Sequence, residues 1–590
     1  MSALFSMVRL FSGKTASMTT TSSTEARIPW HSRGLSTIVD FAVASHARAT
    51  ILLIVVALVA FLPGFFQLPP IDRDEARFAQ ATKQMIESGD YIDIRFQDEV
   101  RYKKPVGIYW LQAAVVNTAE ALGMTKARTT IWLYRIPSLI GAIGAVLLTY
   151  WTALAFISRR AAVLAGLMLA TSILLGVEAR LAKTDAMLLA TVIAAMGALA
   201  RIYLAKRGLR PDVTSWQLPA IFWTALAAGM LLKGPLILAF VILTAGSLSI
   251  FDRSWRWLSA LRPLPGVAWF VVLVLPWFLA IILRSGDSFL TESIGQDLLS
   301  KLTSGQESHG APPGFYFVLF WITFWPGATL AAMAAPSIWA ARHEPGARFL
   351  LCWLIPSWIM FEVVMTKLPH YVLPLYPAIA IMIAGIVDPH VLRRERWLVR
   401  GTGWWFVLPT VLALGGIIAL MVIGKQIGLL AWPFAAAAMI SGLIAWRLYE
   451  ADGPERSLLR AMRAAVLIAI ALYAVIAPSM SALFPSPALR QAVRESSCKQ
   501  PLAAAAGYHE PSLVFLIGTQ TQLTDGAGAA EFLRQGPCRF ALVESRHERS
   551  FVQRAEATGL RYTLGPRVEG INISIGKAIS IAVYQSEGAP

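Results

Sequence analysis

Apolar runs separated by short charged stretches dominate the first 484 residues. A helix needs roughly 20 mostly apolar residues to cross a bilayer. Thirteen runs approach that length: residues 51–66, 132–157, 161–177, 186–203, 218–232, 235–250, 267–283, 315–339, 349–365, 371–386, 404–423, 430–448 and 464–484. The pattern predicts a polytopic α-helical membrane protein with about 13 transmembrane helices over residues 48–484. After Pro485 it changes. LAAAAGYHEPSLVFLIG, AAEFLRQGPCRFALVES and AISIAVYQ alternate strand-like and helix-like runs, which predicts a small α/β domain over residues 485–590. Residues 1–47 read as a cytoplasmic N-terminal tail, polar and Ser/Thr-rich up to Val39 and expected to be disordered there. No apolar core with a small-residue cleavage site opens it, so it does not read as a cleavable signal.

Composition supports the membrane assignment. The chain is 56% hydrophobic and only 15% charged, against about 25% charged residues in a soluble domain. Its net charge of +17 follows the loops. With a cytoplasmic N-terminus, every second connection lies inside. Those connections carry Arg159 and Arg160; Arg201, Lys206, Arg207 and Arg210; Arg253, Arg256 and Arg262; Arg342 and Arg348; Arg393, Arg394, Arg396 and Arg400; and Arg447, Arg456, Arg460 and Arg463. This alternation is the positive-inside bias, so the basic charge does not call for nucleic acid. An odd number of spans puts the C-terminal domain outside, with the first loop (67–131), the turn 178–185, the segment 284–313, Lys233 and residues 366–370. Cys498 and Cys538 share that domain and can pair on an oxidising side of the membrane. Cys352, within a span, reads as a packing residue.

The outer face gathers the candidate chemistry. ARFAQATKQMIESGD predicts an amphipathic helix along the membrane interface, with Phe78 and Met85 on its apolar side. Asp74 and Arg77, three apart, share a face if the helix starts near Asp74. Helix capping accounts for one carboxylate here, not for two bracketed by two arginines. Lys103 and Lys104 alone would read as snorkelling residues, and Thr184 or Asp185 as a helix cap. Lys233 lies between two spans, where a charge is costly unless paired or facing water. Lys367, His370 and Tyr371 lie among prolines 369, 374 and 377, where a broken helix can line a cavity. Dispersed cations suit a phosphate leaving group, and a carboxylate suits proton removal from an attacking hydroxyl. No Ser-His-Asp order, nucleotide-binding glycine loop or cysteine metal cluster stands out.

In chain order, DRDEARFAQATKQMIESGD, YKKPVGIYWLQ, ARLAKTDAML, LLKGPL, HGAPPGFYF and TKLPHYVLPLYPAIA resemble the motifs of GT-C membrane glycosyltransferases. The branch they resemble is that of the ArnT-like lipid A aminoarabinose transferases, which are related to protein O-mannosyltransferases. The resemblance implies a GT-C fold with periplasmic interfacial helices and a periplasmic α/β domain, in a bacterial inner membrane with the active site periplasmic. It implies inverting sugar transfer from a polyprenyl-phosphate donor, without a nucleotide sugar, to lipid A or a similar envelope acceptor. Within the family, protein is the other acceptor. Asp74 takes the place of the first-loop catalytic aspartate, supported by Glu75 and Asp185. Arg77, Lys104, Lys233, Tyr371, Lys367 and His370 fall at the lipid-phosphate side. His309 resembles the histidine of a mobile loop, here 284–313, expected to order over bound lipid; a divalent metal ion would be held there if anywhere. Lys103 stands where these enzymes often carry a metal-holding glutamate, which puts a metal cofactor in question and suggests an altered donor or acceptor. A transporter or flippase for a charged lipid or solute would also use intramembrane charges, but the sequence shows no repeated halves.

Overall fold

The structure is a computed structural model and describes residues 30–212, 214–286, 289, 310–387, 401–496 and 498–587. Among the described residues, seven helices are long and apolar enough to cross a membrane: Ile131–Ala153, Asp185–Lys206, Pro263–Ser285, Pro345–Val363, Pro369–Val387, Gly403–Val422 and Pro454–Ser479. Three shorter apolar helices, His46–Phe61, Gln217–Lys233 and Leu236–Phe251, accompany them. Asp185–Lys206 and Tyr376–Val387 lie deep in the bundle, buried almost throughout. Pro263–Ser285 lies at the rim and exposes Leu264, Val272 and Leu283.

Some expected spans are divided. Residues 161–177 fold as Arg159–Ala170 and Ile173–Glu178. They part where Thr171 and Ser172 turn their hydroxyls back onto the Leu167 and Leu169 carbonyls, each at 2.8 Å. Residues 315–339 fold as Phe315–Thr323 and Gly327–Ala340, interrupted before Pro326, which has no backbone N–H to continue the first helix. Residues 1–29 lie outside the described residues, and the disorder expected up to Val39 is corrected in part: the chain is helical over Trp30–Val43. Its Ser and Thr content hides a spacing that buries Val39 and Ala42.

In the first loop, β1 (Arg95–Phe96) and β2 (Glu99–Val100) form a short antiparallel ribbon. Beyond Pro485 lie β3 (Leu502–Ala506), β4 (Gln522–Thr524), β5 (Arg539–Glu544), β6 (Tyr562–Asn572) and β7 (Lys577–Ser586). They form one sheet in the order β4-β3-β5-β7-β6. β3 runs parallel to β4 and β5, while β7 is antiparallel to β5 and β6. Parallel neighbours require crossovers, which Pro511–Ile517 and Gly526–Arg534 supply. A Cys498–Cys538 disulfide ties the segment before β3 to the start of β5. Cys352 is free and buried.

The Asp74–Ser88 helix joins the two parts. It ends at Gly89 in the left-handed conformation (φ 71°). Phe78 and Met85 are buried, and so are Gln80 and Lys83. The helix is therefore not laid open along an interface. The sheet unit covers its second face: Gln80 donates to the Thr519 hydroxyl at 2.9 Å, and Lys83 to the Phe515 carbonyl at 3.1 Å. Burial pulls the Lys83 ammonium below its ordinary pKa.

Candidate functional site

Segments far apart in the chain meet at one end of the bundle around a cavity of about 330 Å³. Of the residues singled out above, Asp74, Glu75, Arg77, Lys104, Asp185, Lys233, His370 and Tyr371 all line it. Seven Lys and Arg residues and four acidic residues line it, an excess of basic charge that suits an anionic ligand.

Asp74 is the first residue of its helix, where the dipole favours a carboxylate, and it is exposed to the cavity. Arg77 follows within the first turn. The next segment is held close by Gly107. A Cβ there would come within 2.7 Å of the Leu231 carbonyl, so the glycine lets the YKKPVG stretch press against the end of Gln217–Lys233. That approach brings Lys104 to the mouth of the same cavity as Lys233. Lys233 is the last residue of its helix; Gly234 follows at φ 73°. Its ammonium pairs with Asp185 and lies 5.2 Å from the Tyr371 ring centre.

Asp185 opens the Asp185–Lys206 helix, and Thr184 before it makes no side-chain capping bond. The simple capping explanation therefore fails: Asp185 spends its carboxylate on Lys233. His370 bridges two acids, with Nε2 3.6 Å from Asp185 and Nδ1 3.6 Å from Glu178. Lys183 lies 3.2 Å from Glu178 and 3.8 Å from Asp185. Burial pushes the Glu178 carboxyl up, against the pull of Lys183. Ligand atoms of Glu178, Asp185 and His370 lie within 4.8 Å of one another, a spacing that could hold a metal ion. Two ammonium groups already share these carboxylates, so the positive charge a metal would bring is supplied by lysine.

Two of the expected site residues make most of their contacts with the protein itself. Glu75 is buried beside Arg135, which donates to its two oxygens at 2.7 and 2.9 Å. The Ile71 and Ala182 amides each donate to it at 2.9 Å. Its lone pairs are committed to these donors, so what Glu75 does here is fix the loop beside Asp74. Arg135 also donates to the Phe65, Leu68 and Pro69 carbonyls. Lys367 does not line the cavity. Its ammonium donates to the Phe361, Glu362 and Val364 carbonyls at 3.3, 2.9 and 2.6 Å. It thus closes the end of Pro345–Val363, where unsatisfied carbonyls attract a cation. His309 lies outside the described residues.

Arg101, Lys183, Glu178 and Arg135 enter only with the structure. Lys183 and Glu178 lie in a stretch already marked by Asp185, but the pairing of Glu75 with Arg135 spans 60 residues and leaves no local signal.

The family model for dolichyl-phosphate-mannose-protein mannosyltransferases matches residues 51–286. The chain is 27% identical over 426 residues to the undecaprenyl phosphate-alpha-4-amino-4-deoxy-L-arabinose arabinosyl transferase of Pectobacterium carotovorum, across 70% of this chain and 72% of that protein. With the enzyme of the same name from Edwardsiella ictaluri it shares 28% identity over 462 residues, 77% of this chain and 78% of that one. The crystal structure of ArnT from Cupriavidus metallidurans bound to undecaprenyl phosphate superposes with a TM-score of 0.68 at 19% identity, over 90% of this chain and 97% of the other. Its apo form gives a TM-score of 0.67. The fold is that of these two crystal structures.

Proposed function

As the chain is ArnT-like in sequence and fold, we propose that it transfers a sugar from a polyprenyl-phosphate donor to lipid A or a similar envelope acceptor. The reaction takes place at the periplasmic face of a bacterial inner membrane. The observation that carries this is the meeting of Asp74, Arg77, Lys104, Asp185 and Lys233 in one cavity. Thirteen spans, a cytoplasmic N-terminus and a periplasmic sheet domain complete the proposal.

The donor phosphate sits among Arg77, Lys104 and Lys233, beside Tyr371. It competes with Asp185 for the Lys233 ammonium. An acceptor oxygen attacks the anomeric carbon from the side of Asp74, as the bond from that carbon to the phosphate oxygen breaks. The leaving phosphate gains charge, and the cations stabilise it. If the acceptor is a hydroxyl, its proton passes to Asp74. If it is a phosphate, Asp74 orients it. Single displacement inverts the anomeric centre. Asp185 holds Lys233 in place, Lys183 balances the charge of Glu178 and Asp185, and His370 packs between the two acids. No step needs a divalent ion.

A lipid acceptor is favoured over protein because two of the aminoarabinose enzymes match 70% and 77% of the chain, whereas the protein mannosyltransferase model matches residues 51–286. The deciding experiment incubates the purified full chain with undecaprenyl-phosphate-linked 4-amino-4-deoxy-L-arabinose and lipid A, and follows the acceptor mass. Wild type gives a glycosylated product. Asp74→Asn lowers transfer about 100-fold or more and still binds undecaprenyl phosphate. Unimpaired transfer by Asp74→Asn rejects its role. A transporter yields no product at all.

A further inference from the structure

Asp74 stands between two anchors that belong to different parts of the molecule. On one side Glu75 is locked into the bundle by Arg135 and the Ala182 amide. On the other, Asp72 and Arg73 are held by the C-terminal sheet unit. Asp72 accepts from the Ser512 amide at 3.0 Å and faces the Tyr508 hydroxyl at 3.4 Å. The Arg73 guanidinium donates to the Ser574 carbonyl at 2.7 Å. Ser574 sits in the turn joining β6 to β7. That turn is shaped by Asn572, whose side chain accepts from the Ser574 amide at 2.9 Å, and by a 2.9 Å bond from the Ser574 hydroxyl to Glu510.

Arg73 has φ 66° and ψ −107°, well outside the regions an L-residue with a side chain prefers. Such a backbone persists only when its surroundings hold it there, and it recurs where geometry matters to function. Its carbonyl accepts the first helical bond, from the Arg77 amide at 3.1 Å. The backbone that aims Asp74 and Arg77 is therefore set by a contact 501 residues away in sequence.

We propose that Arg73 is a positioning residue through which the β6–β7 turn sets the aim of Asp74. The C-terminal unit is thus a working part of the transferase site. This rests on the proposed transfer reaction. Releasing the turn lets Arg73 relax, so Asp74 loses its alignment while the donor lipid still binds among the cations.

The test uses Asn572→Ala, at a buried residue outside the cavity lining, together with Arg73→Ala and the double variant, in the full chain. Hydrogen exchange is read over residues 71–77, with the Asp185–Lys206 helix as internal reference. In Asn572→Ala the Ala76 and Arg77 amides exchange faster and the reference does not. Transfer then falls about tenfold in kcat, while undecaprenyl phosphate binding weakens by less, because Lys104 and Lys233 still hold the phosphate. Adding Arg73→Ala to Asn572→Ala gives no further loss, and Arg73→Lys, which keeps a donor, recovers part of the rate.

Unchanged exchange over residues 71–77 in Asn572→Ala overturns the proposal. So does a kcat loss from Asn572→Ala that recurs in full on top of Arg73→Ala, or an Arg73→Ala defect confined to KM. If wild type makes no product, the exchange measurement still decides the positioning role, while the missing product counts against the transferase assignment alone.

Discussion

Three lysines from three outer motifs meet different partners, and the difference decides what each can do. Lys233 pairs with Asp185 inside the cavity, Lys104 lines the same cavity, and Lys367 spends its protons on three backbone carbonyls. Lys233→Ala is expected to weaken undecaprenyl phosphate binding about tenfold or more, the value of one charge-assisted contact. Lys367→Ala should leave that binding within about twofold and lower the unfolding temperature instead, because the end of a helix is uncapped. Equal binding losses would restore Lys367 to the phosphate site. The sequence placed a cation beside each proline or glycine turn but could not show its partner, since a side chain's partner depends on packing between distant segments. The same holds for Glu75. Its neighbours in sequence suggested chemistry, while Arg135, 60 residues on, uses up its carboxylate. Arg135→Ala should cost about 3–5 kcal/mol, as expected when a buried carboxylate loses its partner. Denaturation of the purified protein reads this directly. A lysine-based site also predicts that chelators leave the transfer rate unchanged; a loss restored by added divalent ion would return a metal to Glu178, Asp185 and His370.

At the scale of elements, the Asp74–Ser88 helix shows where periodicity informs and where it stops. Its start at Asp74 enters from the sequence only as a condition, while the burial of Phe78 and Met85 follows from the spacing of apolar residues. The burial of Gln80 and Lys83 does not, because it depends on a sheet encoded more than 400 residues later. Asp72 sits at this joint, and burial pushes its carboxyl from 3.8 to about 6, helped by the charge of Glu510 and opposed by hydrogen bonds from Ser512 and Tyr508. Between about pH 4 and 6 the folded protein therefore keeps a proton that the unfolded chain has released. The stability Asp72 contributes falls as pH rises through that window and is level above it. The ceiling is about 3 kcal/mol, and solvent screening of the partly exposed carboxyl brings it to about 1–2 kcal/mol. The unfolding temperature of wild type should thus drop relative to Asp72→Asn between about pH 4 and 6.5. Parallel curves for the two proteins would show that Asp72 does not titrate in this range.

The whole molecule depends on which side of the bilayer the cavity opens. The cavity is built from the first loop, the turn before Asp185, the end of Gln217–Lys233 and the segment before Tyr376. The charge pattern of the sequence assigns each of these to the side opposite the arginine-bearing connections. The structure fixes their meeting; the charge bias supplies the direction. The C-terminal sheet unit bonds to the first-loop helix at Asp72, Arg73, Gln80 and Lys83, so both must lie on the same side. A cytoplasmic N-terminus therefore demands an odd number of crossings before Pro485. Several of the runs that make up that count are too short or too broken to be settled by length, as the divisions at Thr171 and Pro326 show. An alkaline phosphatase fused after Pro590 should be active in intact cells, and a green fluorescent protein at the same place should stay dark. A bright fluorescent fusion with inactive phosphatase would put the sheet unit, and with it Asp74, in the cytoplasm. A polyprenyl-phosphate donor displayed in the periplasm could then not reach the site.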